Sequence, residues 1–275
     1  KPHILIPSPA RTREGGQGEW VTSCHAIDRE NTRLNVIAPS AVVGWRVTFI
    51  MGSMDIDNIL DRPEQFIQRL AARLAQGALP GVEAQRKMSS AERRWTPDAE
   101  ELPTLRQSAV LALLHPSPAG LAVLYTLRPS RLAHHGGQVS FPGGGWETGD
   151  SSLTQTALRE TAEELGMKTA NVRILGPLTT LFIESSRNLV HPFVGWIPAL
   201  PPLNPDLREV AEVLSVTLQT LWDPATVTTC VREANGQLRT FPSFYIPPHY
   251  IWGATAMMTS ELLVIAAQVL HEDSL

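Results

Sequence analysis

The 275-residue sequence predicts an α/β (α+β) sandwich around one substantial core, and three observations carry that expectation. A run from Ser152 to Gly166 has the start, the stop and the periodicity of an amphipathic helix of about four turns. Short apolar runs bounded by turn residues lie on both sides of it, as strands do. An apolar helix then follows Tyr250-Ile-Trp252-Gly253 and ends near Leu270.

The elements follow in order. Residues 1 to about 50 have weak periodicity and no motif, and Met51-Gly-Ser-Met54 begins a different style of sequence. The expectation is that residues 1–53 are an unassigned leader, an upstream translation or a poorly ordered extension, and that the working protein begins near Met51 or Met54. Residues 54–103 form an N-terminal helical extension: Ile59, Phe66, Ile67, Leu70 and Leu74 recur at helical spacing between Asp55 and Gln76. Leu79 to Pro103 reads as a linker or exposed loop with Trp95 as its one large anchor. Residues 104–275 form the main domain. Strands are expected at Ala109–Leu114 and Leu121–Leu127 around the turn His115-Pro-Ser-Pro-Ala-Gly120. Others are expected at Val172–Phe182 and Leu189–Ile197 around a polar bend. Thr226–Arg232 and Gln237–Tyr245 read as hairpin arms about Asn235-Gly236.

Composition narrows the function classes. With 23 basic and 27 acidic side chains the net charge is −4, so no global basic field recruits nucleic acid or an anionic membrane. The apolar run from Asn35 to Met51 contains Pro39 and Arg46 and is short for a membrane span. The start Lys1-Pro-His lacks the pattern of a signal peptide. Cys24 and Cys230 have neither metal-ligand spacing nor the density of a disulfide scaffold, so a cytoplasmic location is expected.

The chemistry concentrates in Ser140 to Met167. Ser152 and Gln155 have capping-box spacing, and Gly166 closes the helix. At about 100° per residue, Glu160, Glu163 and Glu164 share one narrow arc, while Leu158, Ala162 and Leu165 face the other way. Like charges at this spacing weaken a helix by a few tenths of a kcal/mol per pair. A hard divalent cation resolves that repulsion, because clustered carboxylate oxygens are its preferred ligands. Arg159, four residues before Glu163, braces that carboxylate. The glycines at 143–145 let backbone approach a metal or a phosphate closely. Arg128 and Arg131 follow the second strand and are placed to reach phosphate. For an isolated E-x-x-E-E, a solvated helix face would be the commoner explanation. Here the glycine loop and the helix arrive together.

Arg159-Glu160-Thr-Ala-Glu163-Glu164-Leu-Gly166-Met167, preceded by Gly143-Gly144, resembles the Nudix box of the Nudix hydrolases. The simple pattern would put its first Glu at Ser151. The nearby acids are Glu147 and Asp150, and Thr161 replaces an aliphatic residue, as a one-residue insertion before the helix explains. The preceding Leu132-Ala-His-His135-Gly-Gly137-Gln138-Val139-Ser-Phe141-Pro142-Gly143-Gly144 is similar to the segment before the box in the coenzyme A diphosphatase branch. Tyr250-Ile-Trp252-Gly253-Ala-Thr255-Ala256 resembles a second segment of that branch.

The resemblance implies a Nudix-type α/β/α sandwich with a mixed sheet and metal-dependent cleavage of a diphosphate in coenzyme A or a derivative. The products would be 3′,5′-ADP and 4′-phosphopantetheine. It implies Mg²⁺ or Mn²⁺ held by Glu160 and Glu164, with help from Glu163 and the Gly144 carbonyl. Catalytic parts fall to Glu160, Arg159 and a general base after the box, with Glu209 the first choice and Glu212 the second. Substrate contacts fall to Arg128, Arg131, His135, Gln138, Phe141 and Gly143. The expected partner is a small nucleotide diphosphate, with no nucleic acid or membrane, and a homodimer is compatible. Two alternatives remain at this point: another nucleotide diphosphate such as ADP-ribose as substrate, or a non-catalytic nucleotide sensor.

Overall fold

A computed structural model describes residues 63–90, 93–131, 136–234 and 237–271. The leader, His134 and His135, and the Asn235-Gly236 turn lie outside the described residues.

The centre is β1 (Arg106–Ser117), which is apolar on both faces because both are covered. Ala109, Leu111 and Leu113 join Ala157 and Leu165 of helix α3 (Leu153–Leu165) in one cluster. The alternate residues Ala112 and Leu114 join Leu262, Ile265 and Ala266 of the terminal helix α5 (Gly253–His271) in another. Period-two alternation thus sends one strand into two cores.

Around β1 the sheet is mixed. β2 (Gly120–Leu127) pairs antiparallel with it, with Leu113 opposite Leu124. The expected six-residue turn is shorter than its Pro content suggests, because His115 and Pro116 pair with Ala122 and Leu121. β7 (Asn188–Trp196) runs parallel to β1, and β5 (Arg173–Pro177) and β6 (Leu181–Ile183) pair antiparallel with β7. β8 (Glu212–Thr217) lies antiparallel along the other edge of β2. The short β3 (Val139–Ser140) and β4 (Gly143–Gly145) pair with β2 and β1. Together these make an eight-stranded mixed sheet between α3 and α5, an α/β/α sandwich.

Helix α1 (Pro63–Ala75) adds to the α5 side, burying Phe66, Ile67, Leu70 and Leu74. It lies so close to β5 that a Cβ at Gly176 would sit 2.8 Å from the Leu74 Cβ. The following segment is more structured than a linker. It forms α2 (Gly81–Arg86) and buries Ala84, Gln85 and Met88. The reason is distant in sequence: the fully buried Glu261 of α5 accepts hydrogen bonds from Gly81 N, Gln85 Nε2, Thr179 N and Thr179 Oγ1. Four donors offset the desolvation of that carboxylate. Helix α5 is long and apolar enough to cross a membrane, but most of it is enclosed by the α1 side of the core.

A short helix α4 (Leu218–Trp222) leads to a second, three-stranded sheet of β9 (Val227–Ala234), β10 (Gln237–Ile246) and β11 (His249–Trp252). Its inner residues Phe244 and Ile251 enter the α5 core, and β11 packs beside β3.

Candidate active site

Helix α3 is fixed at both ends. Ser152 Oγ accepts from Gln155 N at 3.2 Å, and Gln155 Oε1 accepts from Ser151 N at 2.8 Å, a capping box displaced by one residue. Gly166 ends the helix with φ 61°, and a Cβ there would lie 2.1 Å from the Asn204 carbonyl oxygen.

The glycine loop is held against the acidic face of this helix. β4 pairs Gly144 with Ala109, and a Cβ on Gly144 would fall 2.5 Å from the Glu160 carboxylate. A Cβ on Gly143 would meet the Ala109 carbonyl oxygen at 2.3 Å. The Gly143 N–H donates to Glu164 Oε2 at 3.3 Å.

Arg159 holds loop and helix together. Its Nε and Nη2 donate to both oxygens of Asp150 at 2.9 and 3.0 Å, and Nη2 also donates to Gly145 O at 3.0 Å. Nη1 donates to Glu160 at 3.0 Å and to Glu163 at 3.1 Å. All five guanidinium donors are thereby committed. Arg159, expected to brace Glu163 and to take a catalytic part, has all its donors engaged within the site and positions the other groups. Of the two acids near the expected first glutamate, Asp150 and not Glu147 takes the arginine. Thr156 Oγ1 also donates to Asp150, at 2.8 Å. These bonds, led by Arg159, hold its carboxyl well below the usual range. Thr161 occupies its aliphatic position fully buried, with its hydroxyl donating to Ala157 O at 2.6 Å.

Glu160 and Glu164 sit differently from Glu163. Burial pushes the Glu164 carboxyl up to about 8, against the opposing charge of Arg128, with the negative charges of Glu209 and Glu160 adding to the rise. Burial also raises Glu160, again with Glu209 nearby. Glu163 is 60% exposed and drawn onto Arg159. Among the described residues no three Asp, Glu, His or Cys side chains converge as a ready-made ligand set.

The base candidate comes from the loop that closes over the end of α3. Asn204 N and Asp206 N donate to the carbonyls of Leu165 and Glu164, and a turn from Asp206 sets Glu209 beside the two raised carboxylates. Buried Val210 and the bond from Ala211 N to Leu127 O lock that turn. Glu212 begins β8 and pairs with His249 Nε2 at 3.0 Å.

The expected substrate residues divide. Arg128 Nη1 lies 3.8 Å from Glu164 Oε1, inside the site. Arg131 Nη2 donates to Leu207 O at 2.7 Å, tying the loop after β2 to the loop that carries Glu209. Gln138 is half-buried, and its carbonyl accepts from Arg128 N. Phe141 is the correction: it is 2% exposed and stacks on Tyr125 with ring centroids 4.9 Å apart, so it packs the core. A single apolar residue inside a motif carries no mark that separates packing from contact. His135 lies outside the described residues.

A family model described as the NUDIX domain matches residues 105–233. The mouse (Mus musculus) protein "Mitochondrial coenzyme A diphosphatase NUDT8" is 36% identical over 157 residues, covering 56% of this chain and 75% of that protein. The chain belongs to the Nudix hydrolase family. An "Uncharacterized Nudix hydrolase NudL" of Pectobacterium atrosepticum is 35% identical over 164 residues, covering 57% of this chain and 81% of that protein. Nudix hydrolases act on the diphosphate bonds of small nucleotide derivatives and in general need divalent metal ions.

The residues of this Nudix site fit such an ion. Its donors are hard oxygens, two of the carboxylates are crowded and desolvated, and glycine keeps the backbone clear for Glu160.

Proposed function

We propose that this Nudix hydrolase cleaves the diphosphate of coenzyme A or a close derivative, giving 3′,5′-ADP and 4′-phosphopantetheine. The observation that carries this reading is the similarity to the mouse protein named as a coenzyme A diphosphatase. The Gly137-Gln138-Val139-Ser-Phe-Pro-Gly-Gly144 segment supports it.

Hydrolysis forms one P–O bond from water, breaks one P–O bond of the anhydride and leaves two phosphate monoesters. Glu160 and Glu164 would hold Mg²⁺ or Mn²⁺, with the Gly144 carbonyl a further candidate ligand. A bound cation would supply charge neutralisation at the diphosphate and lower the pKa of a nearby water. Glu209, exposed on a locked turn, orients the attacking water and takes its proton. Arg128, beside Glu164, supplies positive charge to the phosphates. Arg159 keeps Glu160 and the glycine loop in register, and the N–H of Gly143 steadies Glu164.

The test is kcat/KM for coenzyme A beside ADP-ribose, with Mg²⁺ and with Mn²⁺. A preference for coenzyme A of about tenfold or more is the expected result. Equal or inverted preference would move the assignment to another nucleotide diphosphate.

A further inference from the structure

One face of the three-stranded sheet, opposite Phe244 and Ile251, carries side chains that the hydrolytic chemistry does not use. The register places Arg232 opposite Arg239, Cys230 opposite Phe241 and Ser243 opposite Trp252. Cross-strand partners and alternate residues share a face, so Arg232, Arg239, Phe241, Ser243 and Trp252 lie on one face, with Arg239 exposed, Phe241 and Trp252 half-buried, and Arg232 and Ser243 buried. Phe244 and Ile251 of the opposite face enter the core.

Two independent features mark this face as incomplete. Arg232 is 7% exposed, and its guanidinium lies 5.1 Å from the Trp252 ring centroid. Its buried Nε has no hydrogen-bond partner among the described residues. Trp252 Nε1 and the Oγ of fully buried Ser243 also lack partners among the described residues. Arg Nε and Trp Nε1 are donors only, so what they need is an acceptor. The second feature is charge: two arginines stand directly opposite on neighbouring strands, where like charges repel. Phosphate oxygens answer both needs. Beside them, half-exposed Phe241 and Trp252 form an aromatic pair with ring centroids 5.1 Å apart, the kind of surface that takes a heteroaromatic ring.

The sheet adjoins the catalytic groups. β11 packs beside β3, which continues through Phe141 and Pro142 into Gly143–Gly145. His249 at the start of β11 pairs with Glu212, three residues after Glu209.

We propose that this face binds the phosphorylated adenosine end of the substrate. The adenine packs against Phe241 and Trp252, and the ribose 3′-phosphate is held by Arg232 and Arg239. This rests on the coenzyme A reading and assigns the recognition of its 3′-phosphate, which distinguishes that substrate from ADP-ribose.

The test has a binding arm and a kinetic arm. Adenosine 3′,5′-bisphosphate and adenosine 5′-monophosphate are titrated calorimetrically into the full chain. The bisphosphate is expected to bind at least about tenfold tighter, as one charge-assisted phosphate contact provides. Arg239→Met, at an exposed position, should erase most of that difference without altering the melting temperature. Ser243→Ala and Arg232→Met are read the same way where their melting temperatures stay near wild type. In the kinetic arm, Arg239→Met raises KM for coenzyme A about tenfold, leaves kcat unchanged and leaves KM for 3′-dephospho-coenzyme A unchanged. Coenzyme A turnover with no effect of Arg239→Met on either arm overturns this assignment alone. Arginine-dependent binding of the bisphosphate without coenzyme A turnover overturns the substrate reading and leaves the binding face standing. Equal binding of the two nucleotides by wild type overturns the face as a phosphate site.

Discussion

Glu164 is the residue on which the site turns, because it combines burial with nearby like charge. It is 3% exposed, and its carboxyl is raised from 4.5 to about 8. The folded protein therefore retains a proton that the unfolded chain releases between about pH 4.5 and 8, so stability falls as pH rises through that window. The metal-free protein should show a melting temperature that declines across it. Mg²⁺ should raise the melting temperature more near pH 8 than near pH 5, since a cation competes with that proton. Thermal scans at both pH values with and without Mg²⁺ check this, and an equal shift at both would remove Glu164 from the metal set. Glu209→Gln tests the base: kcat should fall about a hundredfold or more with KM for coenzyme A little changed. The acidic side chains were legible in the sequence because helical periodicity gathers them on one arc. Their division was not. Glu163 leaves the cluster for Arg159, whereas Glu160 and Glu164 are enclosed by the glycine loop and by the turn that carries Glu209, and these are tertiary facts.

At the scale of elements, the arrangement depends on a glycine strand lying flat against α3. Gly144→Ala would drive a Cβ into the Glu160 carboxylate and should lower kcat/KM by about tenfold or more, with the fold retained. Far-UV circular dichroism and steady-state kinetics on the same sample distinguish this from misfolding. Asp150→Asn removes the anionic partner of Arg159 and should lower both melting temperature and kcat, because the loop then loses its tie to the helix. Helix α3 itself was readable from Ser152, Gln155 and Gly166, whose capping chemistry is local. Strands β3 and β4 were not. They are two and three residues long, and β4 is all glycine, so only pairing with β2 and β1 makes them strands. β8 has a related cause: its six residues carry no local signal beyond alternation, and the strand is defined by its register along β2.

Across the whole molecule, the segment before the first strand is part of the main core. Phe66, Ile67, Leu70 and Leu74 share a cluster with Tyr125, Phe141 and Leu262, and Glu261 anchors α2 from the far end of the chain. Phe66→Ala should cost about 3–5 kcal/mol of stability, measurable by urea unfolding, with kcat per folded molecule unchanged. Periodicity showed that α1 packs somewhere. Its partners are separated from it by up to about two hundred residues, a distance that no local pattern spans. The molecule as a whole brings one acidic helix face, one glycine strand and one glutamate turn together, and the proposed function places a diphosphate among them. The most direct measurement is chromatographic analysis of products after incubation with coenzyme A and Mg²⁺, for wild type and Glu164→Gln in parallel. The account predicts equal amounts of 3′,5′-ADP and 4′-phosphopantetheine from wild type, and at least about a hundredfold less from the variant, whose fold is intact. Absence of both products from wild type, or their undiminished formation by Glu164→Gln, would contradict it.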